Sequence, residues 1–442
     1  MKKTIFITSF HPLISRNILS SGILDVLVKN NIKVVIIAPK NKESFFKENF
    51  ERDDVIVEGF EFKNTKRENL LKYLSLTALN TKTLYIKRKT EMKGSGMYLT
   101  YLLSNKIGHK FVRFLERVSY KNKRFEKLFD QYKPDCIFST DIQSELDIAI
   151  LNEGIFSNIK TAGMVRSWDN LTSKGLIRVI PNKLLVWNNI IKDEAICLQE
   201  IRESMISVIG IPHYDDYKKN VFTNRKEFIE KIGGDQDKKL ALFIPLGDRY
   251  LRNNTVDRDI VDILDKTLPK DYQLLVRLPP GDYVRELENN PKFPNLKVIY
   301  DRAKPKFDNI KITEIDKNDD VHLAETLFWS ELVISSPSTF VLDSAYMNKP
   351  IILFGFDGYE KREYFDSIRR YYDYNNFIPV IESGGVKLAE SMRQFKDYLD
   401  EYVKNPSLDK DKRKKLAEME AGFLDGKNTE RLFNAILDLI NK

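Results

Sequence analysis

At 442 residues the chain is longer than one hydrophobic core usually supports, which predicts two domains. Its 42% hydrophobic and 31% charged residues, with no apolar run near the roughly 18 residues of a membrane-spanning helix, indicate a soluble protein. Cys136 and Cys197 stand far apart in apolar segments, which favours reduced thiols in a cytosol over a disulfide.

The N-terminal half alternates strands and helices. The start predicts a strand "TIFITSF" rather than a signal peptide, then a helix "SRNILSSGILDVLVKNN" and a strand "IKVVIIAP", which together form a βαβ unit. Residues 66–132 are mostly helical in pattern, and strand–helix alternation returns after them. We therefore expect a Rossmann-like domain over residues 1–212 with a basic helical region at 62–130.

Between residues 63 and 124 there are sixteen Lys and Arg but only three acidic residues, interleaved with Tyr, Leu and Phe. This pattern is typical of a segment that meets an anionic membrane or a lipid-linked phosphate. The alternative is a solvated helical face. Without a recognition motif beside it, the region does not predict nucleic-acid binding.

Proline, glycine and charge then mark a linker or hinge at residues 213–238. A second alternation follows over residues 239–442, and its apolar runs predict strands, "FIPVI" among them. The last residues form consecutive helices in pattern. The fold class predicted is α/β, with two tandem, doubly wound Rossmann-like domains facing a cleft.

One strand of the second domain is followed by hydroxyls and an acid. "ELVISSPST" predicts a strand and then a helix with Ser336 as N-cap and Pro337 at the first helical position. Free N–H groups there, with the hydroxyls of Ser338 and Thr339, favour a phosphate. Asp343 falls on the same helix face, where a carboxylate can accept hydrogen bonds from ribose. The alternative is a helix N-terminus that contacts only water.

The pattern of strand, "SSPST", "DSA" and strand resembles the nucleotide-binding helix of GT-B glycosyltransferases. It is nearest to the branch of CDP-glycerol glycerophosphotransferases and related cell-surface polysaccharide enzymes, and "DGKNTERLFNAILDLI" is similar to that branch's closing motif. Epimerases of the same fold share parts of the pattern. The resemblance implies an acceptor-binding N-terminal domain over residues 1–212 and a donor-binding C-terminal domain over residues 239–442.

Two groups are candidates for the general base. His11 follows the first strand, where several GT-B enzymes carry their base, and Asp169 lies in the loop "VRSWDNLTSKG" after a later strand. In the related branch the loop that corresponds to the Asp169 loop holds a His-Gly, and a His-Pro stands near the position that corresponds to "RLPP" here. Both are absent here, which weighs against that branch's catalytic scheme. The alternatives are a structural histidine and an Asx-turn.

Other polar side chains follow predicted strands and suit substrate binding. Arginines after strands of the second domain can neutralise a diphosphate without a metal. Residues near His11 and Asp169 can contact the acceptor through a charged group, an amide group or a ring that stacks on a sugar. The donor candidates are Ser336, Ser338, Thr339, Asp343, Arg249 and Arg277, and the acceptor candidates are Arg16, Trp168, Asn170 and Lys174.

The sequence predicts a metal-independent glycosyltransferase that has no resident cofactor. It would move a sugar from a nucleotide-activated donor to a cell-surface polysaccharide or lipid-linked acceptor, in the cytoplasm or on the inner face of the membrane, as in capsule or cell-envelope synthesis. Three alternatives stay open: a CDP-polyol phosphotransferase as in teichoic acid synthesis, a nucleotide-sugar epimerase, and a non-catalytic nucleotide-sugar-binding protein.

Overall fold

The computed structural model describes residues 2–12, 14–92, 94, 96–121, 123–219, 222–304, 314 and 317–441. They divide into two compact units: unit 1 is Met1–Lys219 with Asp425–Lys442, and unit 2 is Asn220–Leu424. Of the predicted basic region, residues 93, 95 and 122 lie outside the described residues, as do residues 220 and 221 of the predicted linker.

Unit 1 is built on a parallel sheet of seven strands in the order β3-β2-β1-β4-β5-β6-β7. The strands are β1 Lys3–Thr8, β2 Ile32–Pro39, β3 Val55–Phe60, β4 Cys136–Ser139, β5 Lys160–Met164, β6 Lys183–Val186 and β7 Ile206–Val208. The inner strands are nearly continuous apolar runs because helices cover both faces of the sheet. The order reverses between β1 and β4, so ligands are expected beyond the carboxyl ends of these two strands.

The helices of unit 1 are α1 Ile14–Asn17, α2 Ile23–Lys29, α3 Glu43–Phe50, α4 Lys66–Thr77, α5 Lys82–Thr90, α6 Met97–Leu103, α7 Lys106–Ser119, α8 Glu126–Tyr132, α9 Glu145–Phe156, α10 Asn170–Ser173, α11 Asn189–Cys197, α12 Tyr214–Lys218 and α21 Asn428–Asn441. Helices α4 to α8 confirm the predicted helical region within the first domain. A Thr65–Glu68 capping box begins α4, which explains why the helix starts there.

A buried charge network fixes this helical region to the rest of unit 1. Arg178 donates to Glu116 on α7 at 2.8 Å and to Glu145 on α9 at 2.5 Å, and all three side chains are buried. Arg67 on α4 donates to Glu116 at 2.7 Å. Because each buried carboxylate has a cationic partner, the basic helices are an integral part of unit 1.

The chain terminus differs from the sequence prediction, which placed residues 239–442 in the second domain. The structure groups α21 with unit 1. Leu432, Phe433 and Ile436 on α21 join the same buried cluster as Ile5 and Phe138 of the first sheet. Asp215 in unit 1 accepts hydrogen bonds from the first two N–H groups of α21, so the terminal helix is capped there as well.

Unit 2 is built on a parallel sheet of six strands in the order β10-β9-β8-β11-β12-β13. The strands are β8 Lys239–Ile244, β9 Tyr272–Arg277, β10 Val298–Asp301, β11 Leu332–Ser335, β12 Ile351–Phe354 and β13 Lys387–Ala389. Its helices are α13 Arg225–Lys231, α14 Val256–Thr267, α15 Arg285–Glu288, α16 Lys317–Trp329, α17 Phe340–Tyr346, α18 Phe377–Glu382, α19 Met392–Lys404 and α20 Lys410–Ala421. The order reverses between β8 and β11.

Two segments of unit 2 differ from their predicted form. "FIPVI" begins helix α18 instead of forming a strand, because Phe377 and Val380, three residues apart, face the core together. Helix α13 lies inside the predicted linker, where Phe228 and Ile229 pack into the core of unit 2. The predicted fold class of two Rossmann-like domains is confirmed, and the cleft between them stays a prediction.

Among the residues that the structure describes, no helix combines the length and the apolar character needed to cross a bilayer.

Replacing Arg178 with Met should destabilise the protein by about 3–5 kcal/mol, because Glu116 and Glu145 would lose their shared cation inside unit 1. Urea unfolding followed by far-UV circular dichroism measures the loss. Arg202→Met, at an exposed arginine, is the matched control and should change stability by less than about 0.5 kcal/mol. Equal stability of Arg178→Met and wild type would show that the network contributes nothing.

Candidate functional site

The switch point of unit 1 is the place where the strand order reverses, between β1 and β4. One buried carboxyl group joins the ends of these two strands there. Asp147 on α9 accepts hydrogen bonds from Thr8 Oγ1 at 2.5 Å and Ser139 Oγ at 2.8 Å, the last residues of β1 and β4. Thr140 N donates to Thr8 Oγ1 at 2.9 Å. Burial, followed by the charge of Asp141, raises the pKa of Asp147 to about 7. These bonds fix the loops that leave both strands.

His11 lies on the loop that leaves β1, in a positively charged setting. Burial, followed by the charge of Arg166, lowers the pKa of His11 to about 4, and the charge of Lys174 acts in the same direction. His11 Nδ1 bonds the carbonyl oxygen of Pro12. Because a carbonyl only accepts, Nδ1 carries the ring proton, and Nε2 is left with its lone pair. His11 is therefore uncharged at neutral pH and can accept a proton at Nε2.

An ion pair stands beside this histidine. Arg166 Nε, after β5, donates to Asp141 Oδ2, after β4, at 2.8 Å. Burial would raise the pKa of Asp141, but Arg166 and Lys174 outweigh it and hold that pKa below its ordinary value. Gln143 N donates to the other carboxylate oxygen at 3.0 Å. His11, Asp141, Arg166 and Lys174 form what we call the unit 1 cluster.

The loop that carries Asp169 and Lys174 packs against the basic helical region. Asp169 Oδ2 accepts from Ser173 Oγ at 2.8 Å. Burial would raise the pKa of Asp169, yet the hydrogen bond from Ser167 and the charge of Lys174 hold it below the ordinary value. Burial and the charge of Arg166 lower the pKa of Lys174. Asp169 is thus a firmly ionised and weakly basic carboxylate.

The other predicted acceptor residues are buried or hydrogen-bonded within the protein. Trp168 and Asn170 are buried, at 5% and 0% exposure, so their rings and amides face protein. Arg16 Nη2 donates to Tyr217 OH at 3.2 Å and lies near enough to His213 to lower its pKa, after burial. Their roles in acceptor binding stay predictions.

At the switch point of unit 2, two loops are hydrogen-bonded to each other. Ser336 N donates to Ile244 O at 3.0 Å and Ser336 Oγ to Pro245 O at 3.2 Å, which joins the end of β11 to the end of β8. Buried Asp257 accepts from the N–H groups of Leu246 and Gly247 at 2.8 and 3.1 Å. Burial raises the pKa of Asp257 to about 6.

The helix after β11 begins later than predicted. Ser336 is not its N-cap, because the Ser336 hydroxyl bonds across to Pro245 instead. Thr339 is the N-cap residue and α17 starts at Phe340, so Pro337 lies before the helix. Ser338 Oγ accepts from Phe340 N at 3.4 Å, and the Thr339 side chain is exposed. Asp343 is buried in the first turn of α17.

The two predicted donor arginines differ in setting. Arg249, after β8, has a 58% exposed side chain 3.9 Å from Asp282, and its N–H donates to the same carboxylate at 3.1 Å. Arg277, at the end of β9, is buried and ion-paired with Asp301, which also bonds His322 Nε2 at 3.0 Å. Burial would raise the pKa of Asp301, but His322 and Arg277 lower it to about 2.

The sequence prediction named His11 and Lys174 but missed Asp141, Asp301 and His322. Asp141 follows the strand "CIFST" by one residue and Asp301 ends "KVIYD", so their position at strand ends was the available signal. His322 lies on α16, and nothing in its sequence context predicts the contact with Asp301.

The class of protein follows from two Rossmann-like sheets, each with polar groups at its switch point: this is the GT-B architecture of glycosyltransferases and nucleotide-sugar epimerases. The chain belongs to the CDP-glycerol:poly(glycerophosphate) glycerophosphotransferase family, whose profile matches residues 185–438, more than half of the sequence. The resemblance seen in the sequence is confirmed.

Solved structures share the fold over the whole chain. A UDP-GlcNAc 2-epimerase from Neisseria meningitidis is 13% identical, with a TM-score of 0.58 and coverage of 99% of this chain and 100% of that one. A glycosyltransferase from Rickettsia africae is 14% identical, with a TM-score of 0.54 and coverage of 100% and 99%. The wall teichoic acid polymerase TagF is 13% identical, with a TM-score of 0.51 and coverage of 100% and 89%. Curated protein sequences gave no match.

Replacing Arg166 with Gln should raise the pKa of His11 from about 4, because the change removes the positive charge that, after burial, lowers it most. Nuclear magnetic resonance titration of the four histidine rings measures this, with His11→Asn identifying the resonance. Arg202→Gln, at an exposed arginine, should leave the titration unchanged. A His11 pKa that stays in place or falls in Arg166→Gln would contradict the geometry of the unit 1 cluster.

Proposed function

We propose that this protein is a glycosyltransferase that moves a sugar from a nucleotide-activated donor to a hydroxyl of a cell-surface glycan or lipid-linked acceptor. The observation that carries the proposal is the unit 1 cluster, in which His11 is uncharged and flanked by Arg166, Lys174 and Asp141 at the switch point of a Rossmann-like sheet. A base and cations held together at such an edge suit proton removal from an acceptor that carries negative charge.

In the proposed step His11 Nε2 accepts the proton of the acceptor hydroxyl while the oxygen attacks the donor carbon. The bond from that carbon to the donor phosphate breaks, and the nucleotide leaves with the electron pair. With a pKa of about 4, His11 is a weak base while the cluster is empty of anions. A phosphate bound by Arg166 and Lys174 would offset their charge and raise the pKa of His11 toward the working range.

An anionic acceptor fits the charges of the cluster. Arg166 is already paired with Asp141, so Lys174 and the outer N–H groups of Arg166 are the donors left for a phosphate. A lipid-linked glycan that carries a phosphate or diphosphate would supply such an anion. Asp169, whose carboxylate has a lowered pKa and accepts from Ser173, is the weaker candidate for the base.

Unit 2 is the proposed donor-binding unit. Ser338 and Thr339, in the turn that leads into α17, and the exposed Arg249 side chain are proposed to contact the diphosphate. Asp343, in the first turn of α17, is proposed to accept hydrogen bonds from ribose. Arg277 would act through Asp301, whose charge it balances, rather than as a free phosphate ligand.

The family match favours a second candidate, transfer of a polyol phosphate from a CDP-linked donor. In that reaction the acceptor oxygen attacks phosphorus and CMP leaves, whereas sugar transfer from a UDP- or GDP-linked donor releases a nucleoside diphosphate. The cations of the unit 1 cluster suit either reaction. The positions where the related branch carries its two histidines hold other residues here, which favours sugar transfer.

A panel of nucleotide donors, read by thermal shift, tests the proposed activity. A donor present at a hundredfold excess over its Kd should stabilise the native state by about 2.7 kcal/mol, and a UDP-, GDP- or CMP-linked sugar should do so more than CDP-glycerol. Asp343→Asn should weaken the binding of that donor about ten- to hundredfold, whereas Asp397→Asn, at an exposed aspartate of unit 2, should not.

Two results would contradict the proposed donor or the proposed ribose contact. Stabilisation by CDP-glycerol alone, with release of CMP on turnover, would replace sugar transfer with polyol phosphate transfer. Full donor affinity in Asp343→Asn, with an unchanged melting temperature without ligand, would refute the ribose contact.

His11→Asn should lower kcat by about 10²–10⁴-fold, the usual contribution of a general base, without changing the donor-induced thermal shift. Asp169→Asn is the matched comparison and should lower kcat much less, because Asp169 is the weaker base. Steady-state release of free nucleotide measures both. A larger loss of turnover in Asp169→Asn than in His11→Asn would identify Asp169 as the base. Full turnover in His11→Asn would exclude His11, and full turnover in both variants would exclude both residues.

A further inference from the structure

The loop that follows β8 carries the exposed Arg249 side chain. This loop spans residues 245–255, between β8 and α14, and we call it the β8 loop. The N–H groups of its residues 246–249 are all bonded within the protein, to the carboxylates of Asp257 and Asp282 and to the carbonyl oxygen of Tyr283. Because these N–H groups are occupied, an anion at the β8 loop has to be bound by side chains such as Arg249.

Two tyrosines and a second arginine pack behind Arg249. Arg249 Cζ lies 5.1 Å from the centre of the Tyr250 ring, and Arg249 Nη2 donates to Tyr250 OH at 3.4 Å. The Tyr250 ring meets the Tyr371 ring edge to face, with the ring centres 5.9 Å apart. Arg370 Cζ lies 4.4 Å from the centre of the Tyr371 ring. The four side chains therefore form a continuous series in which each one packs on the next.

Hydrogen bonds fix the backbone of Tyr250 to the same two residues. Tyr371 OH donates to Tyr250 O at 2.7 Å, and Arg370 Nη2 donates to that oxygen at 2.9 Å. Arg370 Nη2 also donates to Tyr371 OH at 2.8 Å. Because two donors share one carbonyl oxygen, both of its lone pairs are used, and the β8 loop is held at the residue next to Arg249.

Arg370 is a buried cation whose hydrogen bonds go to neutral groups. It is 7% exposed. In the part of the chain that the structure describes, it donates to the carbonyl oxygens of Ser367 and Tyr250 and to the Tyr371 hydroxyl. Its Nε is buried and has no hydrogen-bond partner among those residues. Buried cations are ordinarily paired with an acid. The charge of Arg370 therefore adds to that of Arg249 in a way that suits an anionic ligand.

A third arginine of the segment between β12 and α18 bonds the far end of the β8 loop. Arg362 donates to Arg252 O at 3.0 Å, to Asn253 O at 2.9 Å and to Thr255 Oγ1 at 3.3 Å. Arg369 donates in turn to Arg362 O at 2.9 Å. This segment thus binds the carbonyl groups of the β8 loop, while the acids described above bind its N–H groups. The loop is held through both kinds of backbone group, so its side chains start from a fixed backbone.

We propose that Arg370 and Tyr371 are positioning residues that hold Tyr250, and through it the Arg249 guanidinium, in the orientation that binds a diphosphate. The inference rests on the proposed function, in which Arg249 contacts the diphosphate of the donor. Neither positioning residue touches the diphosphate. A guanidinium that is already oriented loses less side-chain entropy on binding than one that is free to rotate. Removal of the support therefore weakens binding although every direct contact group is still present.

Isothermal titration calorimetry of the full chain with inorganic pyrophosphate tests the positioning role, because pyrophosphate carries the diphosphate without a base, ribose or sugar. Arg249→Gln should lower the affinity about ten- to hundredfold through loss of a charged hydrogen-bond donor. Tyr371→Phe keeps the ring but loses the bond to Tyr250 O, and it should lower the affinity about three- to tenfold. In the Arg249→Gln background, Tyr371→Phe should cause no further loss, because its effect passes through Arg249.

Hydrogen exchange followed by mass spectrometry reads the same support in the protein without ligand. The amides of residues 246–255 should exchange at least about threefold faster in Tyr371→Phe than in wild type, because the β8 loop opens more often once the bond to Tyr250 O is lost. Arg393→Gln, at an exposed arginine of α19, is the matched control. It should leave both the exchange of these amides and the affinity for pyrophosphate unchanged.

The outcomes separate the positioning role from the proposed function. Absence of pyrophosphate binding by wild type, wild-type affinity or exchange in Tyr371→Phe, or additive losses in the double variant would each overturn the positioning role. If pyrophosphate binding follows the expected pattern but no nucleotide-linked donor binds, the positioning role stands and the proposed function fails. If donors bind and turn over while Tyr371→Phe keeps full affinity for pyrophosphate, the positioning role alone fails.

Discussion

Arg166 and Asp141 form an ion pair 2.8 Å long across the carboxyl ends of β5 and β4, and the candidate chemistry depends on it. The pair keeps Asp141 ionised despite its burial, and the charge of Arg166 adds to the effect of burial in lowering the pKa of His11. Without Arg166, Lys174 would be the main cation near the buried carboxylate of Asp141. The pKa of His11 would then be closer to its ordinary value. The same charge that weakens His11 as a base also makes its basicity respond to an arriving phosphate.

Each unit positions its switch-point loops with one buried aspartate on the helix that follows. Asp147 binds the ends of β1 and β4 in unit 1, and Asp257 binds the N–H groups that follow β8 in unit 2. Both carboxyl groups have raised pKa values because of burial. In each unit the aspartate holds the loops at the strand ends through a few hydrogen bonds. The loops can therefore carry reactive side chains without straining the sheet, whose strands stay apolar.

Sequence patterns predict the two sheets well because parallel strands are buried on both faces and appear as apolar runs such as "KVVIIAP". They fail at "FIPVI", where four hydrophobic residues and a proline fit a strand or a buried helix equally. Position after a strand sufficed to find His11 and was also the available signal for Asp141, whereas the bond between Asp141 and Arg166 is seen only in the structure. The start of α17 was misplaced because the bond from Ser336 to Pro245 depends on a strand 91 residues away. The assignment of α21 to unit 1 likewise depends on contacts distant in sequence.

The pH dependence of turnover with the best donor tests the role of His11 most directly. If His11 is the base and an anion raises its pKa, kcat/KM should fall on the acid side with a midpoint near pH 4, the pKa of the free protein. The acid limb of kcat, which reports the complex with substrate, should lie at higher pH. A kcat/KM limb at the ordinary histidine value of about 6.5, or a kcat limb at lower pH than that of kcat/KM, would contradict the account.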